Sequence, residues 1–410
     1  MAADVGRAGE FIRGWRILLG ATLGVAVGIS ALPFYTGGVF VKPLEAEFGW
    51  TREQIALGSL ASTFTVAFAS PWVGALVDRF GVRIPAVLGL LFLSLGFVAL
   101  SRMPGSIGVF VAIQVAVAVL AASSSPLTFT RVVNAWFERS KGLALGLTLA
   151  GIGVTAALAP GLVSAIVAED GWRSGYLTLA AVAAVAAPIV FLLLGAKCER
   201  PPTAPGAVAP PVVGMPFAAA VRSTVFWRLV AAFLLLAVAV AGWVLHLIPM
   251  LVESGLTPAE AAGVQGALGL SVLAGRLITG YLVDHIFAPR VAAVMLLLAA
   301  VGVGLLAFGG PEFALAAAIA LGFALGAEVD LIGFLTARYF GLRAYGRLYG
   351  LQYGAFIVGA GLSPVLVAAV ARRAGGYPEA LIASVVLLVM VAVLFATSPR
   401  FGDSAGSENP

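Results

Sequence analysis

The sequence predicts an all-α membrane protein with twelve transmembrane helices in two pseudo-symmetric six-helix bundles. Three observations predict it. The 410 residues are 61% hydrophobic and 10% charged, against about 25% charged in an average soluble domain. The apolar runs are long enough to cross a bilayer as helices, which takes about 20 residues each. The two halves of the chain also repeat the same short strings in one register.

The composition excludes several classes. A soluble globule of this size needs a polar surface that a chain of mean hydropathy +1.06 cannot supply. Membrane β-barrels alternate polar and apolar residues over about 10 residues, and no such pattern occurs. The single cysteine, Cys198, rules out an intrachain disulfide, and no Cys/His spacing suits a metal. No GxxxxGK[ST] phosphate loop is present, so ATP is not the expected drive and no cofactor is expected.

Apolar runs broken by charges, Gly or Pro place the twelve spans at 15–41, 53–77, 84–101, 107–131, 140–168, 172–196, 224–252, 258–284, 290–309, 312–337, 345–370 and 377–397. Arg7, Arg13 and Arg16 lead straight into span 1, which reads as a retained helix, not a cleaved signal. Residues 197–222 hold six prolines, from Pro201 to Pro216, and read as an extended cytoplasmic linker. The expected organisation is therefore an N-terminal bundle at 1–196, the linker at 197–222, and a C-terminal bundle with a short tail at 223–410.

Charge sets the orientation. With the N-terminus inside, seventeen of the 24 Lys and Arg residues face the cytoplasm, six face the other side, and Arg276 lies within a span. This positive-inside bias predicts cytoplasmic termini. It also accounts for the net charge of +5 without nucleic acid. A bacterial inner membrane is the expected location, with the chain acting as a monomer.

The internal repeat is specific. Pro43, Glu47, Gly49 and Thr51 recur as Pro249, Glu253, Gly255 and Thr257, a constant offset of 206. The same offset relates Gly74-Ala-Leu-Val-Asp78 to Gly280-Tyr-Leu-Val-Asp284. The string from Trp136 to Gly146 is echoed from Tyr339 to Gly350. Parallel duplication of six spans suits two bundles that rock about a site at mid-membrane.

The string "GALVDRFGVR", Gly74 to Arg83, resembles the signature between helices 2 and 3 of the major facilitator superfamily, and "GYLVDHIFAPR" is its degenerate second copy. Further strings resemble the monocarboxylate transporters and bacterial oxalate/formate-type relatives. They are "GGVFVKPLEAEFGWT", "RVVNAWFERSKGLALG", "LAGRLITGYLVD" and "RYFGLRAYGRLYG". The resemblance implies the major facilitator fold and a gating role for Gly74, Asp78, Arg79, Arg83, Gly280 and Asp284. Gly74 would let two helices approach closely. Asp78 would pair with arginines and helix ends, holding one state of a bistable interface.

Ionisable residues inside spans are functional by default, since a charge at mid-bilayer costs about 2.5–3.5 kcal/mol or more. Those lying well away from span ends are Arg276 in span 8 and Glu328 and Asp330 in span 10, with His246 in span 7 a weaker fourth. At about 1.5 Å per residue, Arg276 and Asp330 lie about 12 and 10 Å from the cytoplasmic ends of their spans, so they can meet. Gln265, Gly269, Thr279 and Gly280 share the Arg276 face and mark it as inward. The resemblance implies that Arg276, set in "GRL", binds a substrate carboxylate, which its guanidinium fork suits. Two departures stand out. The family aspartate one turn before this arginine is Val272 here, and the family lysine of helix 1 is Tyr35.

Glu328 and Asp330 are the replacements for proton coupling. They point nearly opposite ways, Asp330 with Gly326, Gly333 and Ala337, and Glu328 with Leu321, Leu325, Ile332 and Leu335. Asp330 is the expected counter-ion of Arg276, and Glu328 on the oilier face the expected proton site. His246 titrates near neutrality when unperturbed and is a third coupling candidate. Tyr35, Ser124, Thr128, Gln352 and Tyr353 are the expected polar lining for substrate. Serines satisfying their own helix carbonyls are the competing reading.

These features predict a secondary active transporter of a small organic monocarboxylate, coupled to protons and working by alternating access. It is not an enzyme. Its partners would be an organic anion, protons and the lipid bilayer. Two rivals are a proton-antiporting exporter of drugs or other amphipathic solutes, and a non-transporting membrane sensor.

Overall fold

The computed structural model describes residues 6–195 and 213–401. In chain order the helices are α1 (Arg7–Ala26), α2 (Leu32–Thr36), α3 (Val41–Phe48), α4 (Arg52–Phe80), α5 (Arg83–Ser101), α6 (Ile107–Leu120), α7 (Pro126–Trp136) and α8 (Lys141–Leu194). The second half holds α9 (Phe217–Ala220), α10 (Thr224–Val240), α11 (Trp243–Glu253), α12 (Pro258–Val283), α13 (Ala288–Gly309), α14 (Ala314–Phe340), α15 (Tyr345–Ala374) and α16 (Pro378–Ala396). Nine helical segments among the described residues are long and apolar enough to cross a membrane. The difference from twelve has a structural reason. Spans 5 and 6 run together as α8, divided only at Gly171, whose φ of 81° is non-helical. Spans 1 and 4 are each broken into shorter helices.

The breaks are a correction to the continuous spans expected. Span 1 stops at Ala26 and resumes at Leu32, with Pro33 in the first turn of α2. Span 4 breaks between α6 and α7, where Pro126 opens the second piece. The two breaks face each other: a Cβ on Gly28 would fall on the Ser124 carbonyl, and Ser124 Oγ accepts the Ile29 N–H at 3.1 Å. Thr155 Oγ1 donates to the Ala26 carbonyl at 2.6 Å. Span 7 breaks in the same manner between α10 and α11. There Ser363 Oγ accepts the Gly242 N–H at 2.8 Å and donates to the Val238 carbonyl at 2.6 Å. Side chains from neighbouring helices thus satisfy the backbone groups that each break frees, which the bilayer interior demands.

The repeat read from the sequence has a backbone counterpart. Gly49 and Gly255 both adopt positive φ, 67° and 101°, which only glycine does without strain. Two residues on, Thr51 and Thr257 open α4 and α12 with capping boxes to Gln54 and Glu260.

Two compact units are present. One comprises residues 1–214 with 342–350, the other residues 215–341 with 351–410. The first turn of α15 therefore packs with the first unit although it lies late in the chain. Of the linker expected at 197–222, residues 197–212 lie outside the described residues, as does Cys198. Phe217–Ala220 forms one helical turn where extended chain was expected.

Candidate functional site

In the second unit, α12 and α14 pack backbone against backbone. A Cβ on Gly326 would fall on the Val272 carbonyl and the Arg276 N–H, and one on Gly322 would meet the Leu268 carbonyl. Small residues at such crossings are what lets membrane helices approach. One turn beyond Gly326, Asp330 Oδ1 accepts a hydrogen bond from Arg276 Nη1 at 3.3 Å. Both side chains are buried. The pair expected from the sequence is thus present, with a single bond at the long end of the range.

Around this pair, Asp330 Oδ2, Glu328 Oε1 and Thr279 Oγ1 are buried without a hydrogen-bond partner. Thr279 stands one turn from Arg276 on α12 and Glu328 half a turn from Asp330 on α14. Buried polar atoms of this kind are costly and uncommon. The cluster holds one fixed cation and two carboxyls, which is the chemistry needed to recognise an anion and to hold a proton.

The face assigned to Arg276 is buried in part. The buried stripe of α12 runs through Leu268, Ser271, Gly275, Arg276, Thr279 and Gly280, but Gly269, assigned to the inward face, is exposed. Gln265 Nε2 is bonded to the Val244 carbonyl at 3.2 Å. α14 is buried on nearly all sides, so both Glu328 and Asp330 lie inside.

The remaining candidates are placed as follows. His246 has both ring nitrogens engaged, Nδ1 with Tyr377 Oη at 3.2 Å and Nε2 with the Pro364 carbonyl at 3.0 Å. A carbonyl only accepts, so Nε2 carries a proton, and the phenol can serve Nδ1 as donor or acceptor. Gln352 Nε2 donates to Thr336 Oγ1 at 3.0 Å, and Tyr353 stacks on Phe356. Ser124 spends its hydroxyl on the helix breaks, donating to the Ala121 carbonyl at 2.7 Å. Thr128 is fully buried, with no partner for its Oγ1. Tyr35 is half-buried on α2, beside Phe34. Gly280 is buried in α12 and Asp284 caps that helix.

In the first unit a second charged centre forms. Asp78 Oδ1 is bonded to Arg131 Nη1 and accepts the Gly346 N–H at 2.8 Å, while Oδ2 accepts the Arg347 N–H at 3.1 Å. The carboxylate therefore sits on the N-terminus of α15, where the helix dipole favours negative charge. A Cβ on Gly74 would strike the Gly346 carbonyl. Next to it, Tyr345 Oη donates to Thr130 Oγ1 at 3.0 Å and accepts from Asn134 Nδ2 at 3.1 Å. Arg79 is exposed on the Phe80 ring, and Arg83 lies over Phe191 and bonds its carbonyl. The sequence reading counted Arg131 only as a topology anchor. It missed this residue and Tyr345, although both stand inside the strings that carry the resemblance.

On the opposite face of the first unit, Glu47 accepts from Arg173 Nη2 at 2.6 Å, Arg173 Nη1 at 3.0 Å and Trp172 Nε1. The Arg173 and Trp172 hydrogen bonds hold its carboxyl below the usual range.

Together the fold and these buried charges define a multi-pass membrane transporter. The sequence profile of the Major Facilitator Superfamily matches residues 23–326, and the chain belongs to that family. It is 26% identical over 413 residues to human monocarboxylate transporter 11, covering 96% of this chain and 85% of that protein. It is 27% identical to bovine (Bos taurus) monocarboxylate transporter 13, covering 77% and 72%. The fold matches the crystal structure of the E. coli fucose:proton symporter FucP with a TM-score of 0.71. There the identity is 16%, with 95% of this chain and 99% of that one covered.

Proposed function

We propose that the protein is a proton-coupled transporter of a small organic monocarboxylate, working by alternating access. The observation that carries this reading is the buried Arg276–Asp330 pair, held by one long bond, with further unpartnered polar atoms on both helices. Arg276 keeps its charge at any physiological pH and offers a bidentate fork to a carboxylate. One such arginine suits a single carboxylate. Glu328 is the group that carries the proton, and Asp330 serves as counter-ion. Two relatives named as monocarboxylate transporters support the substrate class.

Thr128 and Tyr35 in the first unit, and Gln352 and Tyr353 in the second, are the polar groups that each unit would offer to substrate. Ser124 and His246 have hydrogen-bonding duties that favour structural roles. Asp78, with Gly74 and the N-terminus of α15, would hold one state of the cycle. Arg79, Arg83, Gly280 and Asp284 belong to the same repeated turn. The positive-inside bias supports cytoplasmic termini, and the reading includes a bacterial inner membrane and a monomeric protein.

Purified protein in liposomes tests it. A thermal-shift screen over short carboxylates, aromatic acids and keto acids selects a probe. Uptake of that probe is then measured with and without an imposed pH gradient. Accumulation driven by inward protons supports the reading, and its absence for every carboxylate that binds overturns it. The exporter reading is favoured by one feature, that Arg276 already has its own counter-ion. It predicts proton movement opposite in direction to that of drugs or other small amphipathic solutes, and no carboxylate binding.

A further inference from the structure

The last described turn of the chain has a dedicated seat. Arg228 at the start of α10 bonds the Thr397 carbonyl at 2.7 Å through Nη1 and Thr397 Oγ1 at 2.9 Å through Nη2. Tyr339, near the end of α14, donates its phenol to the Pro399 carbonyl at 2.7 Å. The Phe401 ring meets Phe287 edge-on at 4.9 Å and Tyr339 edge-on at 4.8 Å. The Arg338 guanidinium lies 5.8 Å from the Phe401 ring centre. Phe287 is the residue before α13, in the turn that follows α12. All of these residues belong to the second unit.

We infer that Thr397–Phe401 is a strap that sets the spacing between α12 and α14, and that Phe401 is a positioning residue for the Arg276–Asp330 pair. The strap grips the turn after the helix carrying Arg276 and the end of the helix carrying Glu328 and Asp330. From Tyr339 to Asp330 is nine residues, about 13.5 Å of helix. A helix transmits a shift at its end along its length. The pair it would reach is one hydrogen bond of 3.3 Å, so a displacement below one ångström decides whether that bond exists. The four groups that meet the strap, Arg228, Phe287, Arg338 and Tyr339, come from three separate elements. Aromatic edge contacts of this kind add stability beyond their buried area.

The inference rests on the transport reading only for its second readout. The first is hydrogen exchange of the full-length protein in detergent, wild type against Phe401→Ala and Phe401→Trp. In Phe401→Ala, amides of residues 326–338 and of the turn 284–287 should exchange at least about fivefold faster, from the loss of two ring contacts. Amides of α10, α11 and α16 should not change, and Phe401→Trp should restore the wild-type pattern. The second readout is uptake of radiolabelled pyruvate. Phe401→Ala should raise the half-saturation concentration several-fold while the maximal rate per folded protein is kept.

Faster exchange confined to residues 397–401, or spread evenly over the unit, overturns the strap. So does altered exchange in α14 with unchanged half-saturation. A wild-type protein that moves no pyruvate, or any other carboxylate that binds, counts against the transport reading instead, and the exchange pattern then decides the strap alone.

Discussion

Arg276 Nη1 donates to Asp330 Oδ1 at 3.3 Å, while the second oxygen of the same carboxylate is buried without a partner. This relationship joins α12 to α14 at the point where Gly326 lets the two backbones touch. Arg276 spends one donor on this bond, which leaves most of its donors for something else.

Arg276→Lys should fold and insert but bind carboxylate at least about tenfold more weakly. Lysine keeps the charge and loses the planar fork, and hydrogen bonds to charged groups are worth about 1.5–3 kcal/mol. Half-saturation in the liposome assay reads the change. Near-normal uptake would make the pair purely structural.

Asp330→Asn should be a stability mutant. It leaves a buried guanidinium without its counter-ion, a loss that typically costs about 3–5 kcal/mol. The thermal midpoint in detergent should fall and expression should drop. An unchanged midpoint would mean that water or another group compensates Arg276.

Glu328→Gln should separate coupling from exchange. The amide preserves shape but cannot carry a proton, so pH-gradient-driven accumulation should be lost while counterflow at equal pH continues. Retained accumulation on the gradient would move the proton to Asp330, to His246 or to the substrate itself.

Asp78→Asn should shift the balance between inward- and outward-open states. The charge that meets Arg131 and the Gly346 and Arg347 amides is removed, while the side chain keeps its size. Cysteine probes on each membrane face should label with altered ratio, with substrate affinity little changed. An unaltered ratio alongside lost binding contradicts a latch role.

Glu47→Gln should lower stability at neutral pH and leave it unchanged in strong acid. Arg173 and Trp172 hold the Glu47 carboxyl below the usual range. A carboxyl depressed on folding stabilises above its unfolded value, and that contribution fades as pH falls through the folded value. The difference in thermal midpoint between wild type and Glu47→Gln should therefore shrink as pH drops below the ordinary carboxylate range. A difference that persists there would assign the effect to packing.

The sequence by itself determined the membrane class, the order of the spans, the repeat and the short roster of intramembrane charges. Each of these follows from residue-by-residue transfer between water and lipid, or from strings that recur in register, such as Pro43 to Thr51 and Pro249 to Thr257. The depth of Arg276 and Asp330 was legible because helical rise is constant. Tertiary structure decided the rest. Hydropathy is blind to the breaks at residues 27–31, 121–125 and 241–242, because Ser124, Thr155 and Ser363 supply the missing hydrogen bonds from other helices. Around Glu328 and Asp330 α14 is buried on nearly all sides, so burial alone does not separate the two acids. Arg131 lies in the sequence like any other loop-proximal arginine, and only packing brings it to Asp78. Phe401 sits in a short polar tail, and its ring contacts with Phe287 and Tyr339 depend on where three separate elements end.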